Sequence, residues 1–247
     1  MLHLLTTVSS GSRIACGVFL LLLAAPATQH AQESASGNKY FLYPRTLPSG
    51  KISHFTGLAL ANLPEDVIET DDVFRAPLFG YHIRYGLPKN FLLDGSVNTN
   101  FITFHFALGA KWGYGFDRLR FALGYDVAYW FGRLEQFGFD TKIRGWINYP
   151  NVLLGYDFGA FSITLTGELI LVMSQTEENG EIETSSDYNH FAGGAVGLFV
   201  EQPLWRDHIL LIGAKANFTD FYYPQWAAFS TFERKFFIPE VFVGLVL

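Results

Sequence analysis

Two stretches of the 247-residue chain place a histidine beside groups able to move a proton. One is Asp207-His208. The other is His190, which follows Ser185, Ser186 and Asp187. An imidazole steered by a carboxylate can deprotonate water or a hydroxyl. A short polar run explains the second cluster equally well, so no catalytic residue is assigned and no enzyme activity is expected. There is no Gly-x-Ser-x-Gly, His-Glu-x-x-His, phosphate loop or paired cysteine motif. Acids gather in two runs: Glu65, Asp66, Glu69, Asp71 and Asp72, then Glu177, Glu178, Glu181, Glu183 and Asp187. They form a solvated, repulsive surface. Divalent cations bridging them to lipid phosphates is the sharper use, but the spacing is not that of an EF-hand loop. No metal set and no cofactor are expected. A third group of charges is scattered singly through apolar sequence: His82, Arg84, His105, Lys111, Arg120, Asp126, Asp157, Glu168, Glu201, Lys215 and Glu240.

What those single charges do depends on the elements that carry them, and the period of the sequence is two. Phe79, Tyr81, Ile83 and Tyr85 alternate with Gly80, His82 and Arg84. Phe104, Phe106, Leu108, Trp112 and Tyr114 alternate with His105, Ala107, Gly109, Lys111 and Gly113. Leu119 to Phe131, Phe161 to Met173, Leu210 to Phe218 and Val241 to Leu247 repeat the pattern. Such alternation is a strand signature, and no window shows helical spacing. One face is large and apolar; the other is small, with an occasional charge. A soluble sandwich would carry many charges on its outer face. Small residues with rare charges suit the inside of a small barrel, and large apolar ones suit a lipid-facing outside. The scattered charges then point inward, and a mixed-sign ion-pair network across the lumen is expected, because a buried charge is costly unless paired.

Composition agrees. Aromatic residues make 17% of the chain and charged ones only 16%, with a net charge of −6. No basic block is available for nucleic acid. No apolar run after the N-terminus is long enough for a membrane helix. Strands are expected near 51–63, 76–87, 91–98, 101–115, 119–131, 150–158, 161–173, 191–202, 208–219 and 236–247. Short connections (88–90, 116–118, 159–160, 203–207) alternate with long ones (64–75, 132–149, 174–190, 220–235) only if the turn-prone Asn98-Thr99-Asn100 separates two strands. The count is then ten; if that break is a bulge, it is eight plus an extra hairpin. The aromatic stretches 143–150 and 220–226 are expected at the membrane interface or as a docking surface at the outer mouth.

The N-terminus carries an export pattern. Arg13 precedes the apolar stretch from Ile14 to Ala25, and Ala25-Pro26-Ala27 offers a cleavage site after residue 27, with a second candidate after Ala31. The single cysteine, Cys16, lies in that leader. Residues 28–50 read as a polar N-terminal periplasmic extension.

These features together resemble the small bacterial outer-membrane β-barrel proteins, over residues 51–247. The resemblance implies an all-β, closed, antiparallel up-and-down transmembrane barrel in the outer membrane, with short periplasmic turns, long extracellular loops and both barrel termini in the periplasm. It implies a monomer whose partners are outer-membrane lipids and the barrel-insertion machinery, and no soluble cofactor. One departure is the last residue, Leu247, where such proteins usually end in an aromatic. The expected role is structural or surface-directed, with a lumen plugged by ion pairs. A narrow gated channel is the alternative, and a lipid-modifying or proteolytic barrel enzyme ranks below it.

Overall fold

Alternating large and small side chains cannot bury both faces of a flat sheet, and a sheet that closes on itself resolves this without leaving an edge. The structure, a computed structural model, describes residues 40–45, 47–64, 75–136, 139–180, 182–205, 208–226 and 234–247. The leader and the acids Glu65, Asp66, Glu69, Asp71, Asp72 and Glu181 lie outside the described residues.

Ten strands follow one another: β1 (Ile52–Asn62), β2 (Arg75–Gly86), β3 (Phe91–Thr99), β4 (Thr103–Phe116), β5 (Leu119–Gln136), β6 (Phe139–Asp157), β7 (Ser162–Asn179), β8 (Ile182–Pro203), β9 (Ile209–Thr219) and β10 (Phe236–Val246). Each pairs antiparallel with its sequence neighbours, and β1 pairs with β10 to close the barrel. The count is ten rather than eight because the chain does turn after Thr99. Asn100 Oδ1 accepts from the backbone N–H of Ile102 and Thr103, and Thr99 Oγ1 accepts from Phe101 N–H. Phe101 takes a left-handed φ of 71° there.

Two expected loops are corrected. Residues 132–149 and 174–190 are not long connections. The β5–β6 ladder runs on to Gln136 opposite Phe139, and the β7–β8 ladder to Asn179 opposite Ile182. In β7 and β8 polar residues occupy both faces there, and in β5 and β6 the outward face turns charged (Arg133, Glu135, Lys142, Arg144) over inward Leu134, Ile143 and Ile147, so the contrast that marks a lipid-facing strand in sequence is lost while the backbone ladder continues. The aromatic run 143–150 is therefore part of β6. Ile143 and Ile147 point inward and are buried, whereas Trp146 stays exposed on the outer wall beside Tyr129.

The outer wall is apolar around its circumference. A middle band holds Leu93, Leu108, Leu123, Val152, Leu165, Val196 and Val241, all exposed. On the loop side of that band stand Phe79, Phe106, Phe131, Trp146, Phe218 and Phe237. On the turn side stand Tyr85, Phe91, Tyr114, Phe116, Tyr156, Phe158 and Trp205. An aliphatic band between two aromatic girdles is what a bilayer requires of a barrel. Leu108, 66% exposed at mid-strand, tests this. Leu108→Arg should reduce the folding free energy in vesicles by about 2–4 kcal/mol, measured by reversible urea unfolding. An unchanged midpoint would place Leu108 outside the hydrocarbon.

Candidate functional site: the barrel lumen

Inward positions of consecutive strands lie side by side, so single charges in separate strands meet as a belt. Arg84 on β2 faces Asp94 on β3 in direct register. Its Nε donates to Asp94 Oδ1 at 2.6 Å and Nη2 to Oδ2 at 3.3 Å. Lys111 on β4 donates to Asp94 and, at 3.3 Å, to Asp126 on β5. Asn151 on β6 donates to Asp126 at 2.8 Å and stands in register with Glu168 on β7. Lys215 on β9 reaches Glu168 at 2.5 Å and pairs in register with Glu240 on β10. Asn217 donates to Glu240 at 3.3 Å. β8 contributes only Ala195 opposite Glu168. The belt thus brings together Arg84, Lys111, Asp126, Glu168, Lys215 and Glu240.

His82, His105 and Arg120 are placed differently. The His82 ring packs against Phe41 and Phe55. His105 stacks on Tyr223 at 4.2 Å between ring centroids, and its Nε2 lies 3.2 Å from the Tyr149 hydroxyl. Arg120 sits near the turn end, beside the Tyr43 hydroxyl. Asp94 was missed in the sequence reading, although its parity with Leu92 and Ser96, opposite Leu93 and Val97, would have found it.

The turn end of the lumen is occupied by the chain's own N-terminal segment. Tyr40–Arg45, expected as part of a polar extension, enters the barrel, and Tyr40, Phe41 and Tyr43 are buried against Phe55, Phe199, Ile209, Leu211 and Val246. Glu201 on β8, 0% exposed, holds them. Its carboxylate accepts three successive backbone N–H groups, from Phe41 at 2.5 Å, Leu42 at 3.0 Å and Tyr43 at 2.7 Å. The wall makes room with glycine: a Cβ on Gly155 would run into Pro44 and Tyr43.

The loop end is filled by residues 220–226. They were expected at the interface or as a docking surface; instead Phe221, Tyr222 and Trp226 fold inward onto Trp130, Ile143, Ile147, Val172 and Ile238. A 3₁₀ turn over Tyr223–Gln225 brings Tyr223 onto His105. Tyr222 meets Glu240, linking this cap to the belt. Rings placed near an interface and rings folded into a mouth have the same composition, so sequence cannot separate them. A cavity of about 270 Å³ lies inside the barrel, lined by the belt and by rings from both caps.

His190 lies at the loop-end rim. Its Nε2 stands 2.8 Å from Asp220 Oδ2, and its Nδ1 3.9 Å from Asp187. Burial pushes the Asp220 carboxyl up, against the opposing pull of its His190 bond. The His190–Asp220 bond tethers the first residue of the cap to β8. Asp207 lies outside the described residues, and His208 closes the β8–β9 turn, its N–H donating to Trp205 O at 3.3 Å. Of the second acidic run, Glu177, Glu178, Glu183 and Asp187 lie on the extended β7–β8 pair, where Glu178 binds Arg144 at 2.9 Å. Among the described residues no cluster of ligands is set to hold a metal ion.

No protein-family model matches the chain, and no curated protein does. Solved structures give a likeness of shape. Neisserial surface protein A is 15% identical with a TM-score of 0.36, over 79% of this chain and 96% of that one. The translocator domain of the autotransporter NalP from Neisseria meningitidis is 9% identical, TM-score 0.40, over 96% of both chains. Outer membrane phospholipase A from Escherichia coli is 11% identical, TM-score 0.35, over 87% and 98%. All three are barrels. The closed sheet and its apolar wall rest on the strand pairing above, not on these scores.

Proposed function

We propose that the protein is a non-enzymatic outer-membrane barrel with a structural or surface-directed role and a lumen kept closed at rest. Its turn end and both termini face the periplasm, it is inserted as a monomer by the barrel-insertion machinery, and its partners are the surrounding lipids. One observation carries the closed reading. Each mouth is filled by the chain itself, by Tyr40–Arg45 at one end and by residues 220–226 at the other, over a belt of paired charges.

The second reading, a narrow gated channel, is favoured by one detail. The N-terminal segment is held by the Glu201 carboxylate, a bond from the Tyr43 hydroxyl to Arg118 O and ring packing rather than by continuous sheet pairing, so it can leave without breaking the wall. Planar-bilayer recording separates the two. The closed reading expects no unitary steps from the intact chain, and steps after residues 28–50 are removed and the cap at 220–226 is shortened. Frequent steps from the intact chain would overturn it in favour of the channel.

A further inference from the structure

The groups around the cavity do not balance. Asp94, Asp126, Glu168 and Glu240 line it with only Arg84, Lys111 and Lys215 against them. Asp94 is shared by Arg84 and Lys111, and Lys215 serves both Glu168 and Glu240. Asp126 has only the far side of Lys111, at 3.3 Å, and the Asn151 amide. The two histidines of the cavity do not make up the difference. Among the described residues neither forms an ion pair with a carboxylate, and both are packed against rings.

Two polar atoms of lining residues also lack a partner. Asn151 Oδ1, an obligate acceptor, has no donor. His105, 4% exposed, has no hydrogen-bond partner at Nδ1 among the described residues, and that nitrogen is an acceptor in the tautomer whose Nε2–H donates to the Tyr149 hydroxyl. Buried acceptors without donors are costly, and in native proteins they point to a missing water, ion or ligand. Aromatic rings also line it, among them Phe41, Phe55, Tyr149, Tyr222, Tyr223 and Phe242, beside aliphatic side chains such as Leu78, Ile147 and Leu211. Carboxylates in surplus, acceptors in need of donors and aromatic faces together describe a site for an ammonium group.

We infer that the lumen is a binding chamber for a small organic ammonium ion, with the charged nitrogen on the side of Asp126, Glu168 and Glu240 and the carbon against the tyrosine rings of the loop-end cap. The volume admits a ligand of a few heavy atoms. This rests on the closed-lumen reading only in that the two caps form the floor and roof. A barrel that conducts yet still binds ammonium would overturn that reading and leave this one standing.

The test uses the full chain, refolded into detergent micelles with methylammonium chloride or with sodium chloride at equal ionic strength, and heated. The unfolding midpoint should rise with the logarithm of methylammonium concentration beyond the sodium series. Calorimetric titration should show binding at least tenfold weaker in Glu168→Gln, which leaves Lys215 its Glu240 partner. Tetramethylammonium, with no N–H to donate, should bind more weakly than methylammonium. Equal midpoints in the two salts, an unchanged affinity in Glu168→Gln, or tetramethylammonium binding as well as methylammonium would each overturn the assignment.

Discussion

Replacing Glu201 by alanine should free the N-terminal segment from the barrel. The carboxylate is fully buried and accepts the N–H groups of Phe41, Leu42 and Tyr43, with Ser162 Oγ 3.5 Å away. In Glu201→Ala those three amides keep their burial and lose the carboxylate that accepts them. Leaving a buried amide without an acceptor costs about 1–3 kcal/mol, so three together cost about 3 kcal/mol or more. Since about 1.4 kcal/mol is a tenfold change in an equilibrium, docking should weaken by a factor on the order of a hundred or more. Trypsin cleavage after Arg45 reports it: slow in the wild type, fast in the variant, while heat-modifiable gel mobility still shows a folded barrel. Glu201→Gln keeps one carbonyl acceptor and should fall between. Cleavage in Glu201→Ala at the wild-type rate would mean that the rings of Phe41 and Tyr43, not the carboxylate, hold the segment.

The second large effect is expected at Lys111, which is 8% exposed and stands between Asp94 and Asp126. Lys111→Met removes the cation and leaves two carboxylates facing each other, with Arg84 reaching only the first. The loss should be about 3–5 kcal/mol, read as a fall in the urea midpoint of the barrel in vesicles. Adding Asp126→Asn to Lys111→Met should recover part of it, because the unpaired charge goes with its partner. A single-variant change below about 0.5 kcal/mol would show that water already screens the belt.

The closed barrel was legible in the sequence because lipid outside and small residues inside impose opposite chemistry on alternate positions, as at Phe121-Ala122-Leu123-Gly124-Tyr125. Where the wall leaves the hydrocarbon that opposition ends. Arg133, Glu135, Lys142, Arg144 and Glu178 are polar residues on strands that continue, so the loop-side ends of β5 to β8 read as loops. The belt was legible in part, since parity assigns a charge to a face but not to a neighbour. Asp94 was overlooked although Arg84 lies directly opposite it. The two caps were invisible for a further reason. Tyr40–Arg45 and residues 220–226 have no period, and their burial depends on a cavity that exists only once ten strands have closed.

The uneven lengths of the strands shape the rim. β8 has 22 residues and its neighbour β9 only 11. Pairing between them starts at Gly193, so Ile182–His190 has only β7 as its strand partner, with the His190 side chain reaching Asp220. On the other side the β4–β5 ladder stops at Gly132, with one further bond from the Arg133 backbone N–H to Ile102 O, and the last residues of β5 pair in the sheet with β6 alone. Four strands therefore rise past the loop-side girdle as a two-edged tongue, whose longer edge extends roughly 30 Å along the strand at about 3.3 Å per residue. Among the described residues these stretches have no second strand beside them, and charged side chains such as Glu183, Asp187, Arg133 and Glu135 guard the edges against stacking with a neighbouring barrel. Anything approaching from that side touches hydrated strand edges before it reaches the mouth.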